Sequence, residues 1–206
     1  MNAGKGKVFF GTYPWYEQNE DCMPIEWLVL DVDEDAHKAL LISRYALDCQ
    51  KYNAEDNFIT WEECTLRYWL NSGFMGKAFT REEQKTIVTA KVMADKNPDY
   101  NTRPGDDTQE KVFLLSIEEA NRYFKDDETR MCVPTDYAIG QGANIDDDHA
   151  VDGSETCDWW LRSPGCDVVH AANVGRDGRI LNSGNCIFCN GFAIRPAMWI
   201  DLNMIP

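Results

Sequence analysis

The sequence predicts a single α+β domain that spans residues 1–206. Apolar runs rich in β-branched and aromatic residues near the start are typical of strands. Three helix-capping signals occupy the middle, and short segments separated by glycine and asparagine follow near the end. The chain shows no internal repeat and no linker, and its 206 residues are enough to bury one sizeable core.

The first fifty residues are predicted to form antiparallel strands. A short apolar run covers residues 8–10, and a longer one covers residues 25–30 (I-E-W-L-V-L). An acidic turn at residues 31–35 leads into residues 38–47 (K-A-L-L-I-S-R-Y-A-L), as expected for a hairpin. The β-branched and aromatic content favours strands over a buried helix.

The middle of the chain is predicted to be helical. The capping-box pattern Ser/Thr-x-x-Glu, in which two side chains satisfy unpaired backbone donors, occurs at residues 60–63, 80–83 and 116–119. The helices are therefore predicted over residues 61–71 with an end at Gly73, over 81–91 and over 117–125. Cys64 falls within the first helix and is predicted to be a small core residue. A loop over residues 97–107 precedes a predicted strand at 112–115.

Loops and short strands are predicted for the rest. Residues 133–155 contain three glycines and an acidic run, which is typical of a loop. The Asp177-Gly178 pair predicts a tight hairpin. Residues 192–202 (F-A-I-R-P-A-M-W-I-D-L) read as one strand, with Pro196 indicating an edge position or a bulge.

Charge and hydropathy exclude several functions. The net charge is −15 and the sequence pI is about 4.5, so the chain repels phosphate backbones and is not expected to bind nucleic acid. No apolar run approaches the roughly 20 residues of a membrane span, and the N-terminus lacks the apolar stretch of a signal peptide. A cytoplasmic location, or one in a phage particle, is the default expectation, with no membrane insertion.

The catalytic constellations of hydrolases and transferases are missing from the sequence. The three histidines, His37, His149 and His170, all lie in predicted turns or loops. The sequence contains neither a nucleophile elbow nor a glycine-rich phosphate loop. No catalytic residue is therefore assigned, and no cofactor is expected.

Eight cysteines are present in a long, aromatic-rich chain, which favours reduced thiols over a disulfide framework. Cys186-Ile-Phe-Cys189 has the spacing of a redox site or of half a zinc site, and Cys157 and Cys166 would be the other zinc ligands. Their eight-residue gap is unusual for zinc, so two coincidental thiols on a loop are the favoured interpretation. Asp146, Asp147 and Asp148 likewise favour a solvated acidic loop over a calcium site.

Arg162 and Arg195 each stand among apolar residues near the end of the chain. A buried arginine requires a carboxylate or carbonyl partner. Both are therefore predicted to tie loops to the scaffold and not to bind a ligand.

The most informative segment is residues 161–197, which contain no Lys, Gln, Glu, Met or Trp, although these types make up 43 of the 206 residues. Residues 166–170 (C-D-V-V-H) and 186–189 (C-I-F-C) place apolar side chains in loops rich in glycine and asparagine. Such clusters on a surface usually indicate binding. The open alternative is that these loops fold back into the core.

Several blocks carry a resemblance to a known family, among them F-G-T-Y-P, W-W-L-R-S-P-G and G-F-A-I-R-P-A-M-W-I-D-L. They resemble a bacterial family of uncharacterised domains, common in gut Firmicutes, that is related to the C-type lectin-like fold. The resemblance covers nearly the whole chain. It implies antiparallel sheets with two or three helices and long C-terminal loops, and it carries no settled activity.

The same fold occurs in the variable proteins of diversity-generating retroelements. In those proteins adenines in Asn-type codons are randomised, and the resulting N-N-Y codons cannot encode the five residue types missing from residues 161–197. The resemblance therefore implies a binding module with a diversified loop surface for a protein or cell-surface ligand. The implied ligand-binding residues are Cys166, Asp167, Val168, Val169, His170, Arg176, Leu181, Ser183, Cys186, Ile187, Phe188 and Cys189.

Two other readings follow from the resemblance. Formylglycine-generating enzymes share the fold and use a cysteine pair near the C-terminus, so an oxidase using Cys186 and Cys189 is the enzymatic alternative. A structural subunit of a phage tail or surface fibre, forming a stable oligomer, is compatible with a binding role. The calcium motifs E-P-N, Q-P-D and W-N-D of sugar-binding C-type lectins are missing, so calcium-dependent glycan binding is not implied.

Overall fold

Thirteen strands and six short α-helices make up the computed structural model, which describes residues 8–17 and 21–204, except for the side chains of residues 146 and 147. The strands are β1 (Val8–Pro14), β2 (Cys22–Asp33), β3 (Lys38–Ser43), β4 (Asp48–Cys49), β5 (Ala90–Val92), β6 (Thr108–Glu110), β7 (Ile145–Val151), β8 (Ser154–Cys157), β9 (Trp159–Pro164), β10 (His170–Val174), β11 (Ile180–Cys186), β12 (Ala193–Ile194) and β13 (Ala197–Asp201). The helices are α1 (Thr65–Trp69), α2 (Met75–Ala78), α3 (Glu83–Thr86), α4 (Ile117–Tyr123), α5 (Asp127–Arg130) and α6 (Asp136–Gly140). The α+β class is confirmed.

Two larger sheets organise the chain. The first is antiparallel with the strand order β1-β2-β3-β13, so the last strand of the chain closes the N-terminal sheet. The second has the order β11-β10-β9-β12-β4, in which β12 runs parallel to β9 and the other pairs are antiparallel. Hairpins β5–β6 and β7–β8 complete the strands. The predicted N-terminal strands and the hairpin between β2 and β3 are confirmed.

Large aromatic side chains fill the core beside both sheets. Trp27 of β2 and Trp159 and Trp160 of β9 are fully buried, as are Leu40 and Leu41 of β3. The Trp27 indole donates a hydrogen bond to the carbonyl of Phe10 at 2.8 Å, so its one polar group is satisfied. Each large side chain of this kind contributes on the order of 1.5–3 kcal/mol by leaving water.

The first predicted helix is wrong in both its start and its end. Thr60 makes no capping bond, and residues 61–63 form only a 3₁₀ turn. Cys64 is extended and buried, and its Sγ accepts a hydrogen bond from the backbone N–H of Arg67, so the α-helix begins after it. The chain then passes through Gly73 in a π turn, Leu70–Phe74, and continues as α2 to Ala78.

The second predicted helix is too long, and the third starts as predicted but ends at Tyr123, two residues before its predicted end. Thr80 and Glu83 form reciprocal capping bonds, but α3 ends at Thr86 because the following residues pair with β13. Val88, for example, donates its N–H to the carbonyl of Trp199 at 2.8 Å. Ser116 and Glu119 form the predicted capping box of α4.

Three expectations for other segments are wrong. Residues 112–115 are buried but form only an isolated bridge, between Phe113 and Ala197. Residues 133–155 are not a loop, because they contain α6 and most of the β7–β8 hairpin. Residues 192–202 form two strands in different sheets, β12 and β13, and the break falls at Arg195 and Pro196. Pro196 precedes a strand at a sheet edge, where its missing N–H costs no ladder bond.

Candidate functional site

The predicted C-terminal loops meet at one end of the β10–β11 hairpin. In its register His170 lies opposite Cys186, so the turn before β10 and the loop after β11 lie side by side. Ile59 donates its N–H to the carbonyl of Val168 at 3.2 Å, which brings a third segment to the same place. We call this surface, made of Phe58 and residues 166–170 and 186–189, the loop face.

Backbone hydrogen bonds hold the turn before β10. Gly165 donates to the carbonyl of His170 at 2.7 Å, and Cys166 donates to the carbonyl of Ser183 in β11 at 2.8 Å. The Val169 N–H donates to Asp167 Oδ1 at 3.0 Å. A side chain at Gly165 would meet the Ser183 carbonyl at 2.5 Å, so this close crossing requires glycine. The turn is therefore fixed by the sheet beneath it.

The loop after β11 is anchored through Ile187. Its N–H donates to the carbonyl of Val169 at 3.0 Å, and its carbonyl accepts from Asn53 at 2.9 Å. The side chain is only 1% exposed and belongs to the core. Ile187 was predicted to contact a ligand; this is wrong, because the side chain is directed into the protein. Phe188 and Cys189, which follow Ile187, stay partly exposed while they pack on the core.

Cys186 and Cys189 lie close enough for their side chains to hydrogen-bond. Partial burial raises the pKa of the Cys186 thiol, and the neighbouring Cys189 thiol and Asp56 add to the effect. The Cys186 thiol therefore favours the protonated form near neutral pH, in which a thiol is a poor nucleophile.

A buried aromatic cluster supports the loop face from below. The rings of Trp160 and Phe192 stack with centroids 4.0 Å apart, and Tyr52 packs edge-on against Trp160. The Trp160 indole donates to the carbonyl of Gln50, and the Tyr52 hydroxyl donates to the carbonyl of Arg162. Each aromatic pair of this kind is worth about 0.5–1.5 kcal/mol beyond its buried area.

The two arginines have the structural role predicted for them. The Arg162 guanidinium donates to the carbonyl of Leu114 at 2.9 Å and pairs with Asp95 and Glu119. The Arg195 Nε donates to the carbonyl of Ser43 at 3.0 Å, and its guanidinium lies over the rings of Phe124 and Trp159. Both are buried, and their partners come from several different elements.

Two further predicted residues lie away from the loop face. Arg176 is in the turn at the opposite end of the β10–β11 hairpin, beyond β10, which spans about 13 Å from His170 to Val174 at the usual rise per residue. There its side chain pairs with Asp158, so it ties the turn to β9. Leu181 is exposed but also near that far end. Ser183 is exposed in mid-strand and adjoins the loop face through its bond to Cys166.

Burial offers a second reason for the unusual composition of residues 161–197. Residues 171–175 and 191–197 are buried throughout, and long charged or amide side chains are rarely fully buried, which accounts for the missing Lys, Gln and Glu but not for the missing Met and Trp. The segment is therefore not one continuous exposed surface. Exposed or half-exposed positions that share the loop face are Cys166, Asp167, Val168, Val169, His170, Cys186, Phe188 and Cys189.

The sequence reasoning missed Phe58. Its side chain is 79% exposed, the largest exposed fraction among the large hydrophobic residues that the structure describes. The only sequence signal was a phenylalanine in a polar stretch, D-N-F-I. Its segment reaches the loop face through the bond between Ile59 and Val168, which are more than a hundred residues apart. A cleft of about 280 Å³, lined by Lys51, Gln141 and Asn190 among others, borders the loop after β11 and was missed too.

The disfavoured four-cysteine zinc set does not form. Cys157, one of its members, is fully buried and donates from Sγ to the carbonyl of Cys132. It therefore pairs with Cys132 and not with Cys166. The structure instead groups Cys166, Asp167 and His170: one ligand atom from each lies within 4.8 Å of the others. In the same group, His170 Nδ1 contacts Asp167 Oδ1 at 2.6 Å.

Another cleft lies outside the loop face. It has a volume of about 350 Å³, and its lining includes Arg67 of α1, Asn71 of the following π turn and Glu110 of β6. Buried Glu110 accepts hydrogen bonds from Trp61 and Thr108 and pairs with Arg67, so its charge is compensated within the protein. This network explains the cleft as part of the scaffold.

None of the helices within residues 8–17 and 21–204 has the length and apolarity to cross a membrane. Residues 36–202 match the sequence model of a family described as a domain of unknown function, DUF6273. The match covers well over half of the chain, which therefore belongs to this family. No curated protein and no solved structure matches the chain.

Proposed function

We propose that this member of the DUF6273 family is a non-enzymatic binding protein whose loop face contacts a protein or cell-surface ligand. The observation that carries the proposal is the exposed Phe58, whose neighbour Ile59 donates its N–H to the carbonyl of half-exposed Val168, on loops whose backbone is held by hydrogen bonds. Exposed apolar side chains on fixed loops lose little conformational freedom when they bind, which favours a stable interface.

We further propose that the fold is C-type lectin-like and that the loop face is the diversified surface of a retroelement variable protein. The closing of the N-terminal sheet by the last strand, β13, supports the fold. The second sheet with its C-terminal loops supports the same assignment. Burial restricts diversification to the exposed positions, because random residues at Ile187 or along β10 would disrupt the core.

The binding proposal is tested with paired variants. Purified wild type is compared with the double variant F58S/F188S on arrayed bacterial surface polysaccharides and membrane-protein extracts. The matched control is Phe9→Ser, because Phe9 is also exposed (59%) but lies on β1 of the other sheet. Loss of two central apolar contacts costs about 2–4 kcal/mol, so we expect binding to fall 30-fold or more in the double variant and less than twofold in the control. Equal losses in both variants, or no binding by wild type at micromolar concentration, would overturn the proposal.

Diversification has its own test in the gene. A nearby copy of the segment encoding residues 161–197 that differs only at adenines, beside a reverse transcriptase gene, is the expected result. If substitutions in that copy fall at codons for buried residues as often as for loop-face residues, the diversified surface is not the loop face. If no copy exists, the diversification proposal fails and the binding proposal is decided by the arrays alone.

The contact between Cys186 and Cys189 favours one second candidate, an oxidase of the formylglycine-generating type. Two adjacent thiols fit a soft metal such as copper, which would supply the oxidising chemistry when bound. The raised pKa of Cys186, to which Asp56 contributes, opposes ready ionisation of that thiol. Copper(I) binding at one equivalent that is lost in both Cys186→Ser and Cys189→Ser is the result that would favour this candidate.

A further inference from the structure

We propose that Cys166, Asp167 and His170 form a binding site for a borderline-soft divalent metal ion, of which Zn²⁺ is the best match. The three residues offer a thiol sulfur, a carboxylate oxygen and an imidazole nitrogen within 4.8 Å of one another. This site does not depend on the proposed binding function, because it is argued from ligand chemistry and geometry alone.

The geometry needs only a small adjustment. Zinc lies about 2.0–2.3 Å from nitrogen, oxygen and sulfur ligands, so tetrahedral ligands are about 3.4–3.6 Å apart. Side-chain rotations that move each ligand atom by about 1 Å therefore suffice, starting from the observed 4.8 Å limit. His170 Nδ1 and Asp167 Oδ1 are 2.6 Å apart, which is shorter than the spacing of two zinc ligands, so their hydrogen bond has to open by about 1 Å or slightly less for both atoms to bind the ion.

The backbone that carries the three ligands is already fixed. Cys166 is bonded to β11 through its N–H, and His170 is the first residue of β10, with its own N–H donated to the Asp167 carbonyl at 3.2 Å. The ligands therefore do not need to be ordered by the metal, which lowers the free-energy cost of binding. Their side chains are partly exposed, so an ion has access from solvent.

The ligand set selects the class of metal. Calcium and magnesium prefer all-oxygen sites, whereas a thiolate with an imidazole favours zinc and its neighbours in the transition series. With three protein ligands, zinc takes its fourth ligand from water or from a bound molecule. Cys186 lies opposite His170 in the strand register, close to the proposed site. Because Cys186 and Cys189 also offer thiols to a metal ion, the test must distinguish binding at these two residues from binding at Cys166.

The test uses the full chain, reduced and stripped of metal with a chelator. Co²⁺ reports thiolate ligation through its charge-transfer absorption, and calorimetry with Zn²⁺ reports affinity and stoichiometry. The expected result is one equivalent of metal, with about one proton released because the Cys166 thiol must ionise to bind. Calcium at the same concentration should not compete.

Variants assign the ligands. Cys166→Ser should abolish the cobalt charge-transfer band, and Asp167→Asn and His170→Gln should each weaken zinc binding at least tenfold. Cys186→Ser, Cys189→Ser and Cys22→Ser are the controls and should leave affinity within twofold. Unchanged thermal unfolding of every metal-free variant shows that folding is intact.

Three outcomes would overturn the proposal. These are no binding below millimolar zinc, loss of the charge-transfer band in Cys186→Ser but not in Cys166→Ser, and competition by calcium. None of these outcomes changes the result expected for F58S/F188S on the arrays, because neither Phe58 nor Phe188 is one of the three proposed metal ligands. Conversely, if the loop face binds no ligand on the arrays, the expected result of the zinc titration is the same.

Discussion

The Tyr13 hydroxyl donates a hydrogen bond to Asp48 Oδ2 at 2.5 Å, and this contact joins β1 of the first sheet to β4 of the second. Both side chains are buried. Asp48 Oδ1 also accepts from the backbone N–H of Cys49 at 2.7 Å and from Gln50. The carboxyl group is therefore fully coordinated by donors at the junction of the two sheets.

Removal of the Tyr13 hydroxyl should weaken that junction. In Tyr13→Phe one carboxylate oxygen stays buried without its donor, which costs about 1–3 kcal/mol. We expect the free energy of unfolding in urea to fall by that amount. Tyr68→Phe, at an exposed tyrosine, is the control and should change it by less than about 0.5 kcal/mol. Equal effects in the two variants would show that the buried hydrogen bond contributes little.

The same carboxyl group should make stability depend on pH. Loss of solvent raises the pKa of Asp48 above the usual 3.8, although its three hydrogen bonds oppose the shift. Because the folded-state pKa exceeds the unfolded one, folding favours the protonated acid. This contribution is fully present below about pH 3.8 and is lost as the pH rises through the higher folded-state pKa. Wild type should therefore lose stability relative to Asp48→Asn as the pH is raised from 4 to 7, in parallel urea titrations. A difference that is constant, or that changes in the opposite direction, would contradict this.

Thiol reactivity should follow burial and not pKa. Burial opposes ionisation of Cys132, yet the Cys157 thiol and the Arg195 guanidinium together lower its pKa to about 7. Cys132 is nonetheless buried, so a reagent cannot reach it in the folded state. Iodoacetamide followed by mass spectrometry should label Cys22 first, then the half-exposed Cys166, Cys186 and Cys189. Cys132 should react only after unfolding. Rapid labelling of Cys132 in native buffer would show that the buried contact between Cys132 and Cys157 opens to solvent.

The aromatic cluster beneath the loop face should control its order. Trp160→Leu removes the stacking partner of Phe192 and the donor to Gln50, at a cost of about 3 kcal/mol or more. Amide hydrogen exchange should then accelerate at Ile187 and Asn53, whose N–H groups hold the loop after β11. Exchange in the distant β2–β3 hairpin is the internal control. A uniform acceleration over the whole chain would indicate global destabilisation only.

Local signals predicted those elements that are determined by local contacts. The apolar runs of β2 and β3 and the capping box at Ser116 and Glu119 depend on neighbours within a few residues, and the structure confirms them. The helix predicted over residues 81–91 ends early because Val88 bonds to Trp199, more than a hundred residues away. No property of the local sequence reveals that competition, in which tertiary pairing overrides helix propensity.

In the loop face, too, the sequence predicted the features that depend on nearby residue types and missed those that depend on distant segments or on the conformation of a turn. Glycine and asparagine in residues 161–197 predicted loops, and the Asp177-Gly178 turn forms as expected. The position of Phe58 depends on how separate segments meet. The grouping of Cys166 with Asp167 and His170 depends on the conformation of one turn, which the residue types predicted only as a loop. The burial of Ile187 depends on the direction of one side chain in an irregular loop, where neither the helical nor the strand period applies.

Adjacent residues Ile187 and Phe188 provide the most direct test of how this loop is built. Ile187 is 1% exposed and packed in the core, whereas Phe188 is half-exposed. Ile187→Ser removes a buried aliphatic group and buries a hydroxyl, which should lower the free energy of unfolding by about 2–5 kcal/mol. Phe188→Ser should lower it by less than about 1.5 kcal/mol, because much of that side chain already contacts water. Urea unfolding of the two variants, with Phe9→Ser as an exposed control, measures the difference. Similar losses for Ile187→Ser and Phe188→Ser would mean that both side chains belong to the core, and the loop face would then lose its central apolar contact.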